Sequence, residues 1–179
     1  MKPQEFIPRF DLFLLEQKLY FECVVIGATA LNLIGVVTRE TVDCDVLDPK
    51  IPTEILAASV KFAALENIPQ EQIKDSWFNN GPESLIRDLP PGWRLRLVEV
   101  YRGKALVLHT LGRPDLLRSK LFAFCDRATD FKDCVARAPT ETESSECLQW
   151  VCDRDMNPDW PTHVTNSFNK LARKLGYEL

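Results

Sequence analysis

The chain has 179 residues, of which 45% are hydrophobic and 27% charged, so it can bury a core and is not a disordered chain. Its 22 Lys and Arg residues against 26 Asp and Glu residues give a net charge of −4, which excludes a chain-wide basic field for nucleic acid. Charge interrupts the apolar runs well before the ~20 residues of a membrane span, and six scattered cysteines without a signal peptide indicate reduced thiols. We therefore expect a soluble, cytoplasmic protein with no membrane partner.

The first half of the chain alternates helical and strand-like patterns. Apolar residues recur at helical spacing after Pro8, and a β-branched run that ends at Gly27 is typical of a buried strand. Further on, carboxylates alternate with apolar side chains, as in a half-buried strand, before a helix that Pro52 opens. The predicted elements are helix 9–20, strand 21–26, helix 28–36, strand 41–47 and helix 52–66.

The second half changes from loops and strands to helices. Prolines and glycines in 67–92 predict loops with one or two helical turns, and Arg102-Gly103 fits a tight hairpin turn. The remaining predicted elements are strands 93–101 and 104–110 and helices 113–127, 131–138, 141–153 and 161–175. The sequence therefore predicts an α/β (α+β) fold, in which a small mixed-sheet core (1–112) precedes a helical region (113–179) that packs on it as one compact unit.

The most informative pattern is Gly27-Ala28 followed, after fourteen intervening residues, by Asp43-Cys44-Asp45. On a strand, residues i and i+2 lie on the same side, about 6.6 Å apart, so both carboxylates would share one space while Cys44 faces the core. Two such carboxylates repel each other unless a cation lies between them, and hard oxygen ligands suit Mg²⁺. Gly27 at the start of a helix would let backbone N–H groups approach phosphates.

Each of these features also has a simpler interpretation. A pair of aspartates alone more often marks a solvated strand face, but here it ends an ordered series of strand, glycine, short helix and Arg39-x-Thr41, which favours a site. The aromatic segment 77–80, with Trp93, could form a platform for a base, although core packing is the stronger interpretation.

Two segments of the chain resemble a known superfamily. VIGATALNLIGVVTRETVDCDVL (25–47) looks like the signature of the polymerase-beta-like nucleotidyltransferases, in particular the small prokaryotic members that include abortive-infection toxins of toxin–antitoxin pairs. Their pattern is roughly Gly-Gly-x-Ala-Leu, then Arg-x-Thr/Ser, then Asp-x-Asp. PDLLRSKLFAFCDRATDFKDCV (114–135) is similar to their helical motif, in which Lys-x-x-Ala precedes Arg and then Lys/Arg-Asp.

The resemblance implies a nucleotidyltransferase fold and a set of site residues. It assigns the metal ligands, for Mg²⁺ or Mn²⁺, to Asp43 and Asp45, and the nucleotide contacts to Gly27, Thr29, Arg39 and Lys120. Arg39 would steady phosphate or pair with an aspartate. Lys120 would meet phosphate, the alternative being a solvated lysine on a helix.

Two positions depart from the pattern of the superfamily. Ala28 stands where the superfamily usually has Gly or Ser, so it offers phosphate no hydroxyl. The superfamily also places a third carboxylate on a later strand, where it helps to activate the attacking hydroxyl. Glu99 is the first candidate for that role and Asp75 a weaker one, while a surface glutamate on a hairpin is the alternative for Glu99.

The resemblance implies an enzyme that moves an NMP group from an NTP to a hydroxyl of a protein, an RNA or a small molecule, as one component of a toxin–antitoxin pair with a cognate antitoxin. The alternative is a catalytically weak or inactive module of the same fold that binds nucleotide or a partner protein. Glu99 separates the two hypotheses, because the first needs its carboxylate close to Asp43 and Asp45.

Overall fold

The computed structural model describes residues 2–38, 40–41, 43–66, 77–127 and 130–179. The chain divides into two compact units, residues 1–111 and 112–179. Within the described residues, the first unit contains a mixed five-stranded sheet with three α-helices and the second contains four α-helices. The predicted α+β fold with a helical C-terminal region is therefore confirmed.

The elements follow the predicted order. They are α1 (Pro3–Glu16), β1 (Phe21–Ile26), α2 (Gly27–Leu33), β2 (Cys44–Asp48), α3 (Thr53–Leu65), β3 (Phe78–Asn79), β4 (Val98–Arg102), β5 (Leu106–Thr110), α4 (Arg113–Arg127), α5 (Phe131–Arg137), α6 (Glu141–Cys152) and α7 (Trp160–Leu175). Two short 3-10 helices, Glu83–Arg87 and Trp93–Arg96, precede β4. The predicted strand 93–101 is therefore wrong in its first half.

Helix α1 begins six residues earlier than the predicted residue 9. Pro3 lies in its first turn, where a backbone N–H has no helical partner to lose, and Pro8 lies inside the helix. The helix continues through Pro8 because its flanking residues Phe6, Ile7 and Phe10 are all buried. Burial of this apolar face outweighs the loss of one backbone hydrogen bond.

The sheet has the strand order β3-β2-β1-β5-β4. β1 is antiparallel to β2 and parallel to β5, β3 is parallel to β2, and β4 is antiparallel to β5. On one face, alternate residues join the core formed with α1 and α3: Phe21, Cys23, Val25, Cys44, Val46, Phe78, Leu106 and Leu108. By alternation and register, Asp45 of β2, His109 of β5 and Glu99 of β4 lie on the opposite face.

Aromatic rings form the centre of this core. Trp77 packs edge-on against Phe6 and Phe10 at ring-centroid distances of 4.5 and 4.9 Å, and its indole N–H donates to the carbonyl of Ser59 at 2.9 Å. Phe62 of α3 contacts the same group of rings. A buried Trp with a satisfied N–H contributes both area and fixed geometry, so this cluster holds α1 and α3 against the sheet.

The second unit is a helical cluster with its own apolar core. The start of α6 is fixed by a capping box between Thr140 and Glu143. Arg113 of α4 donates to the same Glu143 carboxylate at 2.8 Å and, despite burial, lowers its pKa to about 2. These contacts tie the first turns of α4 and α6 together.

All six cysteines are free thiols, and five are buried. Burial raises the pKa of Cys125 and of Cys134 to about 12, so both thiols stay protonated and inert near neutral pH. Within the described part of the chain, no helix is both long and apolar enough to cross a membrane.

The hairpin between β4 and β5 is fixed to α1 by one buried carboxylate. Asp11 accepts hydrogen bonds from the backbone N–H groups of Lys104 at 3.1 Å and of Ala105 and Leu106 at 2.7 Å each. Burial alone would raise the pKa of Asp11, but these donors, with the Tyr101 side chain, lower it below its ordinary value. The hydrogen bonds of the folded state therefore favour the charged form of Asp11.

Asp11→Asn should lower the free energy of unfolding by about 2 kcal/mol, because the amide keeps one acceptor oxygen but turns a donor toward backbone N–H groups. Since the pKa of Asp11 is lower in the folded state, its stabilisation is present above the unfolded pKa of about 3.9 and is lost as pH falls through the folded value. Urea unfolding from pH 7 to pH 3 checks both effects, with Glu16→Gln on the same helix as the control. Equal stability of Asp11→Asn and wild type would contradict this role.

Candidate functional site

The candidate site lies where β1 ends and β2 begins. Gly27 follows β1 with φ +76°, a conformation that L side chains rarely adopt. A Cβ atom at this position would overlap Oδ2 of Asp45. The backbone at Gly27 is therefore packed directly against the Asp45 carboxylate, and this contact requires glycine.

Strands on both sides hold Asp45. In register it lies beside Ile26 of β1 and Asn79 of β3. The side-chain amide of Asn79 donates to Oδ1 of Asp45 at 3.3 Å, and its own Oδ1 accepts from the N–H of Gly81 at 2.7 Å. One oxygen of the Asp45 carboxylate thus faces the backbone of Gly27, and the other faces the side-chain amide of Asn79.

Asp43 is placed differently from the prediction. The strand 41–47 was expected to contain both aspartates, but β2 begins at Cys44, so Asp43 precedes it and its side chain is exposed. The reason lies in its carbonyl, which accepts the Thr29 hydroxyl at 2.6 Å. Alternation along a strand therefore does not set the direction of the Asp43 side chain.

Thr29 belongs to the structural frame of the site. Only 2% of it is exposed, and its hydroxyl donates to Asp43. It therefore fastens the segment before β2 to α2, while a direct contact between Thr29 and a triphosphate stays a prediction.

Asn80, the residue after Asn79, supports β2 through its side chain. Its amide donates to the carbonyl of Val46 at 3.0 Å, and its Oδ1 accepts from the N–H of Ile51 at 2.8 Å. All of these partners are backbone groups. Asn80 therefore braces β2, whereas its neighbour Asn79 contacts the Asp45 carboxylate.

The fold does not bring Glu99 to the aspartates. β1 and β5 lie between β2 and β4, so three strand spacings, about 14 Å, separate the backbones of Asp45 and Glu99. The Glu99 carboxylate accepts from Arg102 Nε at 2.9 Å, and this bond lowers the pKa of Glu99. Arg39 and Asp75 lie outside the described residues.

Lys120 lies within the second unit, on α4. It is 7% exposed, and its ammonium group is 2.8 Å from Asp130 and 2.9 Å from Asp133. Two carboxylates therefore compensate one buried cation, in a triad that fixes α4 to α5. A contact between Lys120 and nucleotide phosphate stays a prediction.

The aromatic segment packs as core. Trp77 and Phe78 are 1% and 0% exposed and join the ring cluster, and Trp93 is 4% exposed. The interpretation as core is confirmed for these three rings. Asn79, in the same segment, contacts the candidate site, and the sequence signal that could have found it is a polar residue directly after two buried aromatic residues.

The sequence was compared with protein families, curated proteins and solved structures. A family described as "Nucleotidyltransferase of unknown function (DUF6036)" matches residues 9–168. The chain belongs to this family. The matched range includes both motif segments of the chain, 25–47 and 114–135. No curated protein and no solved structure matches the chain significantly.

The carboxylates of Asp43 and Asp45 are oxygen donors of the kind that a hard divalent ion prefers. Among the described residues, no group of three or more His, Cys, Asp or Glu side chains is arranged to hold a metal. Mg²⁺ is commonly bound by one or two carboxylates together with water and substrate phosphates. Asp43 and Asp45 offer such carboxylates.

Gly27→Ala should destabilise the protein more than Gly35→Ala. Both glycines have φ near +75°, so alanine costs about 1 kcal/mol or more at either position. Nothing lies within 4 Å of a Cβ at Gly35, whereas a Cβ at Gly27 must displace Asp45. We expect an additional loss of about 1 kcal/mol for Gly27→Ala in urea unfolding. Equal losses for the two variants would contradict the close packing of Gly27 on Asp45.

Proposed function

We propose that this nucleotidyltransferase is of the polymerase-beta-like type and is metal-dependent, moving an NMP group from an NTP to a hydroxyl acceptor. The observation that carries the proposal is the packing of Asp45 against the Gly27 backbone, with Asp43 fastened to Thr29. The family match over residues 9–168 supports the coarser assignment as a nucleotidyltransferase. The acceptor is a protein, an RNA or a small molecule, and a cognate antitoxin is the proposed protein partner.

Asp43 and Asp45 would hold Mg²⁺ or Mn²⁺. A bound ion of this kind supplies charge neutralisation for the triphosphate and the leaving group. The residues of the chain supply position, since Gly27 leaves room beside Asp45 and Asn79 restrains its carboxylate. In the reaction, the acceptor hydroxyl gives up its proton to solvent as its oxygen bonds to the α-phosphorus, and the bond between the α-phosphorus and the β-phosphate oxygen breaks, so that pyrophosphate leaves.

A nucleotide-binding or protein-interaction module with weak or no catalysis is the second candidate. Two placements favour it: Glu99 is three strands from Asp45, and the residue beside Asp45 on β3 is the amide Asn79. In this reading, nucleotide binds at the aspartates and transfer is slow or absent. Thermal unfolding with and without Mg²⁺ and each NTP detects binding to the native protein, with or without turnover.

The double variant Asp43→Asn/Asp45→Asn should reduce transfer of labelled nucleotide at least 100-fold, because isosteric amides remove both negative charges. The assay incubates the chain with each labelled NTP, Mg²⁺ and cell extract, and then separates labelled RNA from labelled protein. Glu22→Gln on β1 is the control, since Glu22 lies on the same sheet and contacts His109. Undiminished transfer by the double variant would contradict the proposal.

Glu99→Gln tests the predicted third carboxylate. The distance across the sheet predicts that this variant keeps transfer within threefold of wild type. In the wild-type protein the Glu99 carboxylate is held by Arg102, away from Asp45. The measurement is kcat for nucleotide transfer. A loss of 100-fold or more at unchanged stability would instead give Glu99 a catalytic role.

A further inference from the structure

Asn79 occupies the position directly beside Asp45 on the neighbouring strand. The register of β2 and β3 pairs the two residues, and the Asn79 amide donates to Oδ1 of Asp45. Both side chains are half-buried, so the contact is shielded in part from water. Hydrogen bonds to a charged acceptor are stronger than those between neutral groups.

The orientation of the Asn79 amide is itself fixed. Its Oδ1 accepts from the backbone N–H of Gly81 at 2.7 Å, so the NH2 group is the end that points toward Asp45. Asn80 then braces β2 through backbone bonds to Val46 and Ile51. Two adjacent asparagines thus perform different tasks, one on the carboxylate and one on the strand.

We propose that Asn79 is a positioning residue for Asp45 in divalent-ion binding. Its amide holds one carboxylate oxygen and adds no charge, so Asp43 and Asp45 carry the negative charge of the site. Further anionic ligands then come from the nucleotide, and the ion binds as a metal–nucleotide complex, more tightly than it binds alone. This inference rests on the proposed function, because it requires Asp45 to be a metal ligand.

The test measures Mn²⁺ affinity by the electron paramagnetic resonance signal of free Mn²⁺, without nucleotide and without turnover. Asn79→Asp keeps the shape of the side chain and adds a third carboxylate, so we expect affinity to rise at least tenfold. Asn79→Ala removes the hold on Asp45, so affinity should fall at least threefold. Asn166→Asp makes the same chemical change at an exposed position of α7 and should leave affinity within twofold of wild type.

A purely structural role for Asn79 would change stability and not Mn²⁺ affinity, so thermal unfolding is recorded for every variant. If Asp45→Asn abolishes Mn²⁺ binding while both Asn79 variants stay within twofold of wild type, this inference is wrong and the proposed function stands. If Asp45→Asn binds Mn²⁺ as wild type does, both are wrong. If neither wild type nor Asn79→Asp binds Mn²⁺ without nucleotide, this inference is wrong and the proposed function, in which the nucleotide supplies further ligands, stands.

Discussion

The contact between the Gly27 backbone and the Asp45 carboxylate is the constraint on which the site depends. It forms because Gly27, the residue that follows β1, has a left-handed backbone conformation at the point where the antiparallel neighbour β2 begins. A side chain at Gly27 would separate the carboxylate from the backbone. Asn79 completes the arrangement from the third strand, so three consecutive strands of the sheet meet at one carboxylate.

The rest of the first unit keeps these strands in register. The rings around Trp77 bury the other face of the sheet, and Asp11 fixes the β4–β5 hairpin to α1 through three backbone donors. Side chains on one strand therefore point alternately into this core and toward the site, as Cys44 and Asp45 do. In the second unit, Lys120 is held in a comparable way, between two carboxylates.

Much of this arrangement is predictable from local sequence patterns. The strand Phe21–Ile26 and the helix Arg113–Arg127 have their predicted bounds, because their residue patterns are clear, Gly27 follows the strand and Pro114 lies in the first turn of the helix. The predicted start of β2 was wrong because the hydroxyl of Thr29, which is distant in sequence, donates a hydrogen bond to the carbonyl of Asp43. The two-residue strand β3 has no periodicity to detect, so the place of Asn79 depends on strand pairing. The distance of Glu99 from the aspartates likewise depends on strand order, which no single segment encodes.

Anomalous diffraction from crystals grown with Mn²⁺ and a non-hydrolysable NTP would locate the ion and the nucleotide directly. We expect an Mn²⁺ peak within about 2.5 Å of carboxylate oxygens of Asp43 and Asp45, with the triphosphate on the same ion and Gly27 beside it. A nucleotide bound elsewhere, or an Mn²⁺ peak that neither aspartate contacts at saturating concentration, would contradict the proposed site.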